Sequence, residues 1–188
     1  MAKSIAIAGC IGHIGTTTQA IQAVLTLKQN NLNTCYLEMN RTDYLDNVLA
    51  LYYQAEDKRN LIRFSGIDMY KRNFAKTVTQ QKWDYIVRDF GPANTDSFEE
   101  SSFAEQPLKI VVCGSKPNEI FQIQDLLENP IYDDAYFIFS FVPEEERVSV
   151  LSSMGSRAEK TFFSGIVLDP YKLESDSVKI FQKIINKE

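Results

Sequence analysis

The sequence predicts one α/β domain, a doubly wound and mostly parallel sheet of about seven strands with helices on both faces, covering residues 1–188. Three observations lead there. Short apolar runs alternate with longer segments of helical periodicity along the whole chain. Several short runs are apolar at nearly every position, as in Ile110-Val111-Val112, the pattern of strands covered on both faces of a parallel sheet. The first run ends in a glycine-rich loop that leads directly into a helix.

The elements follow in order. Strand-like runs are Ser4–Ala8, Thr34–Met39, Leu61–Phe64, Tyr85–Asp89, Leu108–Cys113, Tyr136–Phe141 and Thr161–Val167. Helical spacing places Ile21, Val24 and Leu25 on one face of Thr16–Gln29, and Leu45, Val48, Leu49 and Tyr52 on one face of Asp43–Gln54. The same reasoning gives helices over Pro117–Glu128, with Ile120, Ile123 and Leu127, and over Ser175–Lys187, with Val178, Phe181 and Ile184. The lysines of that last helix superficially suit a membrane surface, but the domain needs a closing helix over its sheet, and packing is the expectation.

Composition sets the limits. At roughly 150 residues per domain, 188 residues make one domain, and no repeat or linker divides them. With 44% hydrophobic and 24% charged residues the chain is neither disordered, collagenous nor a coiled coil. No apolar run approaches the ~18–20 residues of a spanning helix, and Ser4–Ala8 is too short for a signal-peptide core. Cys10, Cys35 and Cys113 fit no disulfide framework or zinc pattern, which points to reduced thiols and a cytoplasmic protein. Cys10, at a strand end, is expected to be buried and inert, the alternative being a reactive thiol near a helix N-terminus. The single histidine, His13, excludes multi-histidine metal sites.

Ligands of such sheets sit beyond the carboxyl ends of the strands, so the residues after strands one, two and four carry the function. The first loop reads Gly9-Cys10-Ile11-Gly12-His13-Ile14-Gly15-Thr16-Thr17-Thr18. Gly9, Gly12 and Gly15 permit a tight turn with bare amides, and those amides with the helix N-terminus form an anion site. The threonines are expected to cap the helix, and Thr17 stands where a hydroxyl could reach magnesium.

This loop resembles that of the ParA/MinD-type P-loop ATPases, the deviant Walker A group, whose loop reads approximately Lys-Gly-Gly-x-Gly-Lys-Thr-Thr. Gly12, Gly15, Thr17 and Thr18 match. Ile11 stands in place of the signature lysine, His13 in place of the second glycine and Thr16 in place of the Walker A lysine. The likeness extends to Glu38 and Asn40, in the positions of the family's Asp-x-Asp, and to Asp84-Tyr85-Ile86-Val87-Arg88-Asp89-Phe90-Gly91-Pro92. It implies that Gly9, Gly12, His13, Gly15, Thr16, Thr17 and Thr18 surround ATP or ADP, that Thr17 and Asp89 serve magnesium, and that Glu38 and Asp89 are the catalytic carboxylates. Local capping or pairing is the other expectation for Glu38, and solvent exposure for His13. An adenine-contacting asparagine usual in the family is absent, Ser140 being nearest.

The departures weigh on catalysis. A cation at the transferring phosphoryl group is most of what such a protein supplies, and losing one in a dry site costs several kcal/mol of transition-state stabilisation. The expectation is therefore a degenerate member, a pseudo-ATPase acting through protein contacts in positioning, partition or assembly, with a homodimer and a protein partner and with nucleotide weakly held or not held. One alternative is a slow magnesium-dependent ATPase in which His13 or Arg88 replaces the lysines, although Arg88 and Asp89 point to opposite faces of their strand. Another is DNA binding through residues 57–82, whose seven basic and two acidic side chains give a balance of +5 in a chain of −5. That stretch lacks aromatic interleaving, so a solvated helix and loop surface is the expectation, and the acidic remainder disfavours nucleic acid.

Overall fold

The computed structural model describes residues 2–187; Met1 and Glu188 lie outside them. Its centre is a nine-stranded sheet in the order β3-β4-β5-β2-β6-β1-β7-β8-β9. All seven expected strands are present: β1 (Lys3–Gly9), β2 (Thr34–Glu38), β4 (Leu61–Phe64), β6 (Tyr85–Pro92), β7 (Leu108–Cys113), β8 (Tyr136–Ser140) and β9 (Thr161–Ser164). The two additional strands are β3 (Glu56–Lys58) and β5 (Ile67–Tyr70). From β5 to β9 neighbouring strands run parallel. The β3-β4-β5 edge is an antiparallel meander.

Burial on both faces explains the apolar runs: every residue of β2, β7 and β8 is buried. Helix α1 (Thr16–Gln29) lies across β6, β2 and β1 and packs against α7 (Ser175–Ile185). On the other face, α4 (Glu100–Ala104) sits beside β7, where Lys109 Nζ reaches the Ala104 carbonyl, and α5 (Pro117–Glu128) shares a cavity wall with Cys10. The remaining helices, α2 (Tyr44–Leu51), α3 (Ala75–Thr79) and α6 (Arg147–Met154), are short. Pro117 opens α5, and the Glu119 carboxylate accepts from the Lys116 N–H at 2.9 Å to close its first turn.

The stretch 57–82 departs from the helix-and-loop expectation, because its first half is the meander. Its outer strand, Glu56-Asp57-Lys58, is exposed along its length at the sheet edge, where a hydrophobic period is not required, while β4 and β5 bury Ile62, Ile67, Met69 and Tyr70. Lys58 pairs with Glu56 at 2.7 Å and Arg63 with Asp68 at 2.7 Å, while Lys71 pairs with Asp46 and Arg72 with Glu99.

After β9, residues 165–174 form a strap over α1. The buried Gln22 carboxamide holds it, donating to the Pro170 and Lys172 carbonyls at 2.9 and 2.8 Å and accepting from the Glu174 N–H at 3.0 Å. Between the two carbonyl anchors the Tyr171 hydroxyl meets that of Tyr44 at 2.6 Å, and the Tyr171 ring packs edge-on against Phe64.

Candidate anion-binding cleft

The carboxyl ends of β1, β2 and β6 converge on the glycine loop. A cleft of about 400 Å³ opens there, walled by Gly12, His13, Gly15 to Thr18, Asn40, Thr42, Tyr44, Gly91 and Pro92. Two of the loop glycines have a structural reason. A Cβ on Gly9 would stand 2.2 Å from Thr16 Oγ1 and 2.7 Å from Ile14 Cγ2, so the turn closes only around a bare backbone. Gly15 has a φ of 95°, in the left-handed region. His13 also has positive φ, 62°, and is exposed; the family-like glycine position keeps its left-handed backbone although it bears an imidazole.

The threonines do not cap α1 as the sequence suggested. Gly15 is the cap residue and no side chain bonds to the first-turn amides, which also have no acidic neighbour within that turn. A helix start of this kind, fourteen residues long and opening on a cleft, presents free N–H groups and a positive dipole end to an anion. Thr16 is buried, its hydroxyl turned toward Gly9 rather than outward. Ile11 packs against the hydrophobic core. No lysine or arginine is among the residues walling the cleft.

Asp89 is the centre of the polar wall. Fully buried, it accepts from Thr17 Oγ1 at 2.6 Å and from the Tyr36 hydroxyl at 2.8 Å on one oxygen, and from the Gly91 N–H at 2.9 Å on the other. Burial pushes its carboxyl above the usual range, while these bonds and that of Asn40 pull it back. A bulge makes the geometry possible: Ile7 pairs with Asp89 but Ala8 with Gly91, so Phe90 is the extra residue, and the chain turns back at Gly91 with a φ of 70°. A Cβ on Gly91 would meet Asn40 at 2.7 Å. Asn40 in turn donates to the Asp89 carbonyl at 3.1 Å and accepts from the Thr42 N–H and hydroxyl. Tyr36 escaped the sequence reading because a tyrosine within an apolar strand looks like core.

Glu38 stands beside Asp89 in the β2–β6 ladder, but its hydrogen bonds go elsewhere. Its carboxylate accepts from the Tyr44 N–H at 2.7 Å and the Leu45 N–H at 3.4 Å, doing for α2 what the cap residue Asp43 does not. Burial pushes its pKa up to about 7, the two amide bonds pulling against that rise. The local-capping expectation therefore describes its contacts. Arg88, the other candidate for replacing a lysine, is on the opposite face from Asp89, where its Nε donates to Ser4 Oγ at 2.9 Å and a second nitrogen lies 3.9 Å from Met39 Sδ. It does not wall the cleft.

The residues that could hold a nucleotide are thus the loop amides from Gly12 to Thr18, and Thr17 with Asp89 could serve magnesium. The described residues contain no cluster of three histidine, cysteine or carboxylate side chains that could ligate a metal by themselves. Beyond the cleft, the cations proposed for DNA are largely engaged: four of the seven are in the ion pairs given above. No helix among the described residues is long and apolar enough to cross a membrane.

No protein-family model matches the chain, and no curated protein matches it in sequence. Solved structures do. The chain is similar to the MinD cell division protein of Aquifex aeolicus, at a TM-score of 0.72 and 13% identity, over 100% of this chain and 98% of that one; the MinC:MinD complex of that organism aligns at the same score and identity over 100% and 97%. A plasmid partition protein of Borrelia burgdorferi bound to AMPPNP aligns at 0.65 and 15% identity over 98% and 97% of the two chains. The apo McdA of Cyanthece aligns at 0.64 and 12% over 98% and 100%. At such identities the likeness shows the fold: this chain has the P-loop fold shared by the MinD and ParA-type proteins.

Proposed function

We propose that the protein is a degenerate ParA/MinD-like P-loop protein: its cleft binds the phosphates of a nucleotide weakly or not at all, hydrolysis is lost, and it acts through protein contacts in positioning, partition or assembly. The carrying observation is the cleft itself. It keeps the glycine cradle and the Thr17–Asp89 bond, yet Thr16 is folded inward against Gly9 and the walls carry neither lysine nor arginine. Backbone amides and a helix dipole can hold an anion without a side-chain cation. They do not replace the charge that develops on a transferring phosphoryl group.

The structural neighbours include a MinD seen with MinC and a partition protein seen with AMPPNP. These support a partner-binding role and a cleft of nucleotide-binding ancestry, and homodimerisation across the loop face belongs to the same proposal. Calorimetry with ATP and ADP, with and without magnesium, coupled to a phosphate-release assay, tests it. Affinity weaker than micromolar with no turnover is the expected result. Micromolar binding with phosphate release that depends on Asp89 would replace this reading with that of a slow ATPase. The variant Thr16→Lys, returning a cation to the loop, is expected to tighten nucleotide binding at least tenfold. Light scattering on the eluting protein reads the dimer directly.

A further inference from the structure

Cys10 and Cys113 end two neighbouring parallel strands. β1 and β7 pair through Gly9 and Val112, and the Cys10 N–H continues the ladder to the Val112 carbonyl at 2.8 Å. One residue beyond a paired couple on each strand, the two cysteines stand side by side and point to the same face. Strands lie about 4.8 Å apart, inside the roughly 4.4–6.8 Å of Cα separation that a disulfide spans. Both thiols are free and buried. Cys10 also forms part of the wall of an open cavity of about 330 Å³, bounded by Ala93 to Thr95 on one side and by Gln122, Asp125 and Leu126 of α5 on the other. The third thiol, Cys35, pairs with Ile86 in β2, separated from β1 by β6.

We propose that Cys10 and Cys113 are a redox modification site, closing to an intramolecular disulfide under hydroperoxide at the root of the glycine loop. The two sulfurs have unequal roles. Hydrogen bonding with the neighbouring Cys113 sulfur and with the Gly114 N–H lowers the pKa of the Cys10 thiol, whereas burial pushes that of Cys113 up. The Glu119 carboxylate faces both sulfurs and opposes ionisation of either. Cys10, which walls the open cavity, is the attacking thiol, and Cys113, which does not, is the resolving one. The Cys10 thiolate attacks one peroxide oxygen, the O–O bond breaks, and the departing hydroxide takes a proton to leave as water, giving a sulfenic acid. Cys113 sulfur then attacks that sulfenic sulfur; the S–O bond breaks, the S–S bond forms, and the hydroxyl leaves with the Cys113 proton as a second water. Two thiols lose two electrons and two protons, and one hydrogen peroxide becomes two waters. The first residue past β1 is then covalently tied to β7, whether or not the cleft binds a nucleotide.

The test uses the full, folded chain treated with hydrogen peroxide, trapped with N-ethylmaleimide, denatured and digested with trypsin without reduction. The three cysteines fall in separate tryptic peptides, 4–28, 29–41 and 110–147, because Lys116 precedes proline. The expected product is 4–28 joined to 110–147 within a single chain, two hydrogens lighter at that pair, reversed by dithiothreitol, with the Cys35 peptide alkylated. Cys35→Ser should leave the cross-link unchanged, and Cys10→Ser or Cys113→Ser should abolish it. Three alkylated thiols at peroxide levels that oxidise glutathione would overturn the proposal. So would a link through Cys35, disulfides found only between chains, or sulfinic acid at Cys10 without a cross-link. The wild-type map decides the matter even if a cysteine variant fails to fold.

Discussion

At the carboxyl ends of β1, β2 and β6, the carboxylates are buried and fully engaged: Asp89 takes three donors and Glu38 two amides, and Asn40 supports Asp89 from the rim. At the β3–β5 edge of the same sheet, charges near the surface are paired with one another, Lys58 with Glu56 within β3 and Arg63 with Asp68 between β4 and β5. The first arrangement excludes water, so each group depends on a specific neighbour. In the second, solvent stands ready to replace any partner. Single substitutions should therefore be costly in the cleft and nearly silent in the meander.

The largest effect is expected from Asp89→Ala, which strands the Thr17 and Tyr36 hydroxyls and the Gly91 N–H. A loss of about 3 kcal/mol in urea unfolding is expected; a loss below about 1 kcal/mol would mean water enters the site freely. Next comes Gly9→Ala, whose Cβ would overlap Thr16 and Ile14. It should cost about 2 kcal/mol, as overpacking does, while Gly12→Ala, with nothing within 4 Å of its added carbon, stays within about 0.5 kcal/mol. Equal costs for the two would contradict the packing described.

Glu38 gives a smaller effect that depends on pH. Its folded pKa of about 7 lies above the ordinary 4.5, so the folded state binds the proton more tightly than the unfolded one. The contribution is complete below about 4.5 and fades as pH rises through about 7. Between those limits the wild type should lose on the order of 1–2 kcal/mol relative to Glu38→Gln, which keeps an acceptor oxygen for the α2 amides. Parallel stability–pH curves would place the charge elsewhere. The smallest effect belongs to Arg63→Ala, expected within about 0.5 kcal/mol and shrinking further in salt. A loss comparable to that of Asp89→Ala would erase the contrast between the two regions.

The same contrast governs what the sequence disclosed. Thr16–Gln29 and Pro117–Glu128 were readable to the residue, one from the glycine loop before it and the other from Pro117 at its start. The parallel strands announced themselves by being apolar throughout. In the meander only Leu61–Phe64 did so: Glu56-Asp57-Lys58 is exposed along its length and has no period to read. In the cleft, the glycine loop and Asp89 were legible because their residue types are chemically conspicuous. The turn of Thr16 toward Gly9, the hydroxyl of Tyr36 on Asp89 and the amides of α2 on Glu38 depend on contacts that spacing along the chain does not encode.

The strap fixed by Gln22 has a bearing on biosynthesis. That carboxamide, inside a helix formed from the first residues of the domain, finds its carbonyl partners 148 and 150 positions downstream. While the chain is still emerging, α1 would carry an unanswered amide on the surface that α7 later covers. Contacts of such long range slow folding and prolong exposure of the unfinished core. The polar contacts of the amino-terminal half are thus completed only when the strap has been made.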